Sequence, residues 1–100
     1  MKIKVTKKKE PLKVKVSNLT SPRSGRDVPN QFEIRVGNIR YFQSYQSTIV
    51  KIEDGGVFLD EFYWNYSRTT TKYLNQYLGQ NTKEIKEGIQ SGSIKLINLN

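Results

Sequence analysis

Residues 67 to 72 read SRTTTK, four hydroxyl side chains and two cations within six positions. Ser67 offers the side-chain oxygen that accepts from a free N–H group in the first turn of a helix, and a cap needs only one such oxygen. The threonines beyond it, with Arg68 and Lys72, have the chemistry of a phosphate grip, because a helix N-terminus already presents N–H groups and a partial positive charge. Capping alone and capping with anion contact both fit these residues. A second constellation is Arg35 and Arg40, which a two-residue turn at Gly37-Asn38 sets directly opposite each other. Like charges so placed repel by a few tenths to about 1 kcal/mol, and either an external anion or the nearby Glu33 would relieve them.

Catalysis has less to work with. The chain contains no His and no Cys, which removes the most adaptable general base, the best nucleophile, disulfides and thiolate metal sites. Glu53, Asp54 and Asp60 flank a Gly-Gly hairpin and could collect Mg²⁺ as in a nuclease, but two of them suit ordinary turn chemistry. Glu84-Ile85-Lys86 echoes part of a restriction-type nuclease motif, yet it falls in a predicted helix where that motif needs a strand. The expectation is a non-enzymatic protein without catalytic residues, metal or cofactor.

The charge is unevenly placed. The net charge of the 100 residues is +8, and residues 1 to 40 account for all of it, with 11 Lys and Arg against Glu10, Asp27 and Glu33. Such asymmetry is the footprint of a surface for phosphate backbones or an acidic partner. The candidate contacts are Lys2, Lys4, Lys7, Lys8, Lys9, Lys13, Lys15, Arg23, Arg26, Arg35 and Arg40, joined by Arg68 and Lys72 of the helix start. Lysines on an exposed strand also guard an edge against unwanted pairing, so those of the first segment have that second explanation.

The elements that must hold these groups follow from periodicity. Ile3 and Val5, then Leu12, Val14 and Val16, alternate with lysines at period two and predict strands interrupted by a loop at Pro11. A Ser, Pro and Gly-rich loop carries Arg23 and Arg26. Phe32, Ile34 and Val36, the Gly37-Asn38 turn, then Ile39, Tyr41 and Gln43 predict a β-hairpin whose core side holds those six residues and whose outer side holds Arg35 and Arg40. A turn at Gln46-Ser47 and another at the Asp54-Gly55-Gly56 run extend residues 30 to 60 into a four-strand meander. The aromatic run of Phe62, Tyr63, Trp64 and Tyr66 is expected to pack mostly between sheet and helix, with base stacking as the alternative use. A helix follows from the Ser67 cap to a Gly79 stop, with Tyr73, Leu74, Tyr77 and Leu78 on one face. A second runs from the Asn81 cap, with Glu84 as capping-box partner and Ile85 and Ile89 inward, to Gly92. Residues 93 to 99 close the chain as a strand or extended segment.

The stretch QSYQSTIV, then VFLD after a glycine hairpin, then YSRTTTKYLNQYLG resembles an arrangement in small uncharacterised proteins of bacteriophages and related mobile elements, in which a Ser-Tyr strand precedes a Tyr-Ser-x-Thr-Thr helix start. The resemblance covers about residues 40 to 79, and SGRDVPNQFEI fits its longer members. It implies origin more than chemistry. Where members carry His in the helix this chain has Tyr73, so no imidazole role transfers.

The sequence thus predicts one α+β domain over residues 1 to 100, an antiparallel meander of five to six strands with one or two short C-terminal helices. Residues 1 to 11 are expected to be a basic N-terminal segment for which mobility is one reading. The expected function is binding, by a basic surface, of nucleic acid or of a host nucleoprotein complex, in the manner of an anti-CRISPR-like inhibitor. A phage structural or assembly component is the alternative, and a metal-dependent nuclease is the remote one. No apolar run reaches the roughly 18 residues of a membrane span, and the cytoplasm of a bacterial host is the expected location.

Overall fold

Alternation and short turns generate a sheet in chain order. The structure, a computed structural model, describes residues 13–100. Six strands, β1 (Val14–Thr20), β2 (Asp27–Val36), β3 (Ile39–Ser44), β4 (Ser47–Glu53), β5 (Gly56–Asp60) and β6 (Ile94–Ile97), lie side by side in that order. The first four pairings are antiparallel hairpins, and β6 joins β5 in parallel. A parallel partner requires a crossover, and helices α1 (Arg68–Leu78) and α2 (Thr82–Ser91) supply it. The α+β architecture is therefore as expected, while the predicted strand at Ile3 and Val5, the Pro11 loop and Leu12 lie outside the described residues.

Local rules place both helices. Ser67 accepts from the Thr70 N–H at 3.1 Å and starts α1. Asn81 and Glu84 form the anticipated reciprocal capping box at α2, each bond 2.8 Å. Gly79 and Gly92 end the two helices at φ 67° and 88°, a left-handed conformation that costs a residue with Cβ about 1 kcal/mol or more. Gly88 has a different reason: a Cβ there would stand 2.7 Å from Ile94 Cδ1, so α2 meets β6 through the missing side chain.

Both helices cover one face of the sheet. Phe42, Val50 and Leu59 form a cross-strand row that is fully buried, and Leu74 of α1 and Ile85 of α2 close over it. A bulge between Phe42 and Gln43 lets adjacent Ile49 and Val50 both enter this core, so Ile49 departs from the simple alternation expected of β4. Each fully buried aliphatic side chain stabilises by about 1.5 to 3 kcal/mol.

The register of the β2–β3 hairpin is the predicted one, with Val36 opposite Ile39, Ile34 opposite Tyr41, Phe32 opposite Gln43 and Arg35 opposite Arg40. Its orientation is reversed. Phe42 is the buried residue of β3 and stacks on Tyr77 of α1 at 5.4 Å, so Arg35 and Arg40 lie on the helix-bearing face. Phe32, Ile34, Val36, Ile39 and Tyr41 lie on the face that no helix covers among the described residues. The reason is in the next strands: the Arg40 row continues into Ile52, Val57 and Ile94, whereas the Tyr41 row continues into Lys51, Phe58 and Lys95. Lysines do not stay in a core without partners, and the apolar rows take the helices.

Two boundaries also shift. The β3–β4 turn is Tyr45-Gln46, one residue earlier than predicted, and Tyr45 holds φ 56°. Strand β2 begins at Asp27 and runs through Pro29, tolerated where the β1–β2 register shifts between Asn18 and Thr20.

Candidate functional site

The register assembles a row of cations. Lys15 on β1 stands opposite Arg35 on β2, and Arg35 stands opposite Arg40 on β3. These three side chains share the helix-bearing face where α1 no longer covers it. One carboxylate sits among them: Glu33 Oε1 accepts from Arg35 Nε at 3.0 Å, and Oε2 accepts from Arg40 Nε at 3.1 Å and from the Tyr77 hydroxyl at 2.8 Å. Of the two ways to relieve the arginine pair, the internal one is built. It leaves three cations against one anion, and Arg35 and Arg40 remain 53% and 41% exposed as side chains.

Glu33 is the hub of this arrangement. Burial alone would raise its pKa, but donors from Tyr77, Arg35 and Arg40, with the Arg40 charge, outweigh that and hold the carboxyl below the usual glutamate value. Burial, with Glu33 as acceptor, pushes the Tyr77 phenol up to about 12. The Glu33 hydrogen bond raises Arg40 further above its ordinary value. The Arg40 guanidinium also lies 5.5 Å from the Tyr77 ring centre, a cation–π contact that fixes its plane.

Two shallow clefts of about 290 and 280 Å³ share Ser17 and Glu33 and so form one groove beside β1. Lys15 and Arg35 stand at one end, Gln76 and Tyr77 at the other. Gln76 Nε2 donates to the Thr20 carbonyl at 2.8 Å and closes the groove at α1. Lys13, just before β1, is tied in through its carbonyl, which accepts from the Gly37 N–H at 3.0 Å.

The other expected contacts are not gathered here. Arg23 and Arg26 occupy the exposed β1–β2 loop at the far end of the hairpin, where Ser21 and Ser24 hold the turn through side-chain oxygens. Arg68 and Lys72 are exposed on α1, and Lys72 lies over the Tyr73 ring at 5.2 Å. Lys2, Lys4, Lys7, Lys8 and Lys9 lie outside the described residues. Three of the four hydroxyls of the helix start are engaged within the protein: Ser67 caps, Thr70 is buried and bonds Ser44 and Ser67, and Thr71 donates to the Ser67 carbonyl at 2.9 Å, while Thr69 is exposed.

A second concavity lies at that same helix start. A cavity of about 350 Å³ is walled by Tyr45, Tyr63 and Tyr66 beside Ile49, with Ser44, Ser47, Ser67 and Thr70 completing its lining. The two halves of the motif quoted above, Ser44-Tyr45 and Tyr66-Ser67, therefore meet across one space. Sequence reasoning missed it, since only the contact between the β3–β4 turn and α1 creates it. The aromatic run divides: Tyr63 and Trp64 pack against the core, whereas Phe62 and Tyr66 are 63% and 66% exposed instead of filling the joint. Asp60 fixes the run, Oδ2 accepting from the Phe62 and Tyr63 N–H groups and Oδ1 from Leu99 N–H. Burial would raise the Asp60 pKa, but the Leu99 and Tyr63 donors and their neighbours hold it below the ordinary aspartate value. Glu53 pairs with Lys51 at 3.1 Å, and among the described residues no three His, Cys, Asp or Glu side chains converge to hold a metal ion.

Fold and site define a small α+β domain with a cationic groove on the uncovered part of its helix-bearing sheet face. The chain belongs to a family of unknown function, DUF8033, whose pattern matches residues 4–92. No curated protein and no solved structure matches it. Among the described residues no helix is long and apolar enough to cross a membrane.

Proposed function

We propose that this protein is a non-enzymatic binding protein whose groove lined by Lys15, Arg35 and Arg40 receives a phosphate backbone. The observation that carries the reading is the cross-strand row itself: three cations share a face beside one carboxylate, on a chain of net charge +8. The guanidinium groups are half in water, Arg35 held by Glu33 through Nε and Arg40 through Nε and Nη2, which leaves further N–H donors on each for phosphate oxygens. The bacteriophage resemblance gives the reading a setting, in which the nucleic acid is either free or held by a host machine that the protein blocks by occupying its surface, as an anti-CRISPR inhibitor would. Fluorescence titration of single-stranded and duplex oligonucleotides at several salt concentrations tests it. Affinity that falls steeply with salt is expected; no binding to any nucleic acid at low salt would overturn the reading.

One observation favours a structural or assembly role as a second reading. Val14 and Val16, each 61% exposed, continue through Ile34, Val36, Ile39 and Tyr41 into an apolar face of the sheet. Among the described residues its charges are the Lys51–Glu53 pair and Lys95, fewer cations than the row of Lys15, Arg35 and Arg40 places on the other side. A second copy of this chain is the partner such a face suits, since the cationic rows of both copies would point outward.

A further inference from the structure

We infer that the cavity between the β3–β4 turn and the start of α1 is a receptor for one unpaired nucleobase. This rests on the nucleic-acid reading above and names the part of the ligand that the cationic groove does not touch. About 350 Å³ is at the small end of ligand pockets and suits one planar ring system. Its walls are tyrosine rings, two of them largely exposed, Tyr45 at 52% and Tyr66 at 66%. The Phe62, Tyr63 and Tyr66 rings pack on one another at 4.7 to 5.5 Å, which holds Tyr63 and Tyr66 in place before any ligand arrives. Exposed, mutually braced rings beside an open space are a stacking platform, and every base has a face to stack.

The polar side of the cavity has donors to spare. Ser67 donates to Thr70 Oγ1 at 3.0 Å, and Thr70 and Ser44 share one hydrogen bond of 2.9 Å. Three hydroxyl protons serve two bonds, so one O–H at Ser44 or Thr70 is left to donate to a ligand. Beside Ser44, in the same cross-strand row with Ser47, stands Gln31. It is 1% exposed, and neither its Oε1 nor its Nε2 has a partner among the described residues. Gln31 itself lies behind Ser44 and is not among the residues that line the cavity; the spare hydroxyl is the donor that the ring-nitrogen or carbonyl acceptors of a base edge would meet. An aliphatic ligand would leave that donor unpaired, and a phosphate alone would leave the rings idle. The base pocket and the groove are close: Thr70 and Tyr77 are about 10 Å apart along α1, within reach of one single strand.

The test uses uncharged free nucleosides, which stack but carry no phosphate for the cationic row, titrated into the full chain and followed by amide NMR. Saturable shifts are expected at the backbone amides of the lining residues Ser44, Tyr45, Ser67 and Thr70. Tyr66→Ala should weaken binding by roughly tenfold. Tyr45→Gly removes a wall at a position whose φ of 56° suits glycine, so it should keep or raise Tm while weakening binding. The combination Lys15→Gln, Arg35→Gln and Arg40→Gln should leave nucleoside affinity unchanged. Absence of saturable shifts with every nucleoside, equal affinity in the tyrosine variants, or tighter binding of N-acetyl-tryptophanamide than of any nucleoside would each overturn the inference. Salt-dependent oligonucleotide binding with a silent cavity would leave the groove reading standing alone. Nucleoside binding beside salt-insensitive oligonucleotide binding would do the reverse.

Discussion

Glu33 shows how one residue sets both stability and charge at the groove. Its carboxylate joins β2, β3 and α1 through Arg35, Arg40 and Tyr77. Because its folded pKa is lower than its unfolded one, the native state binds fewer protons below the ordinary glutamate range. Its contribution is therefore complete above that range and is lost as pH falls through the folded value. Tyr77 acts at the opposite end: its folded pKa of about 12 exceeds the ordinary 10, so its contribution is complete below pH 10 and is lost as pH rises through about 12. Urea unfolding across pH should show both losses, and Tyr77→Phe should remove the alkaline one at a cost of about 1 kcal/mol near neutrality. An alkaline loss that persists in Tyr77→Phe would assign it elsewhere. Glu33→Gln should cost about 1 kcal/mol, since it sets two half-exposed guanidinium groups against each other, and should tighten polyanion binding by removing the one local negative charge.

At the scale of elements, α1 joins the cavity to the groove. Ser67→Ala should cost about 1 kcal/mol in urea unfolding through loss of its cap, with no change in the salt dependence of binding, because the Ser67 hydroxyl, like those of Thr70 and Thr71, is engaged within the protein. A change in that dependence would restore phosphate contact at the helix start. The caps, the glycine stops and the hairpin register were legible because they are local: each depends on residues within a few positions of one another. The face of the hairpin was not, because Phe32, Ile34 and Val36 make the more apolar set within the hairpin itself. Only the continuation of each row into β4, β5 and β6 decides between faces, Ile52 and Val57 on one side against Lys51 and Lys95 on the other. The same limit hid the candidate site. Arg35 and Arg40 were visible as a pair, but Lys15 joins them only through the β1–β2 register, and Tyr77 reaches Glu33 across 44 positions.

The whole molecule separates its charge from its apolar surface. One sheet face bears the helices, the cavity and the cationic groove, and the other bears Val14, Val16 and the apolar side of the β2–β3 hairpin. If the second face joins two copies, sedimentation should show a dimer that dissociates on dilution, and Val14→Gln, at an exposed position outside the groove lining, should weaken the dimer with unchanged groove affinity per chain. A monomer at every concentration would leave that face without a second copy as partner. The cationic row is the central claim, and its most direct measurement is the slope of log affinity for a single-stranded oligonucleotide against log salt. Wild-type protein should be compared with the combined variant Lys15→Gln, Arg35→Gln, Arg40→Gln. Each phosphate contact on a single strand contributes about 0.7 to that slope, so the variant should lose about 2 while the melting transition stays cooperative. An unchanged slope and affinity in the folded variant would mean that the row meets no phosphate, and the account of the groove would be wrong.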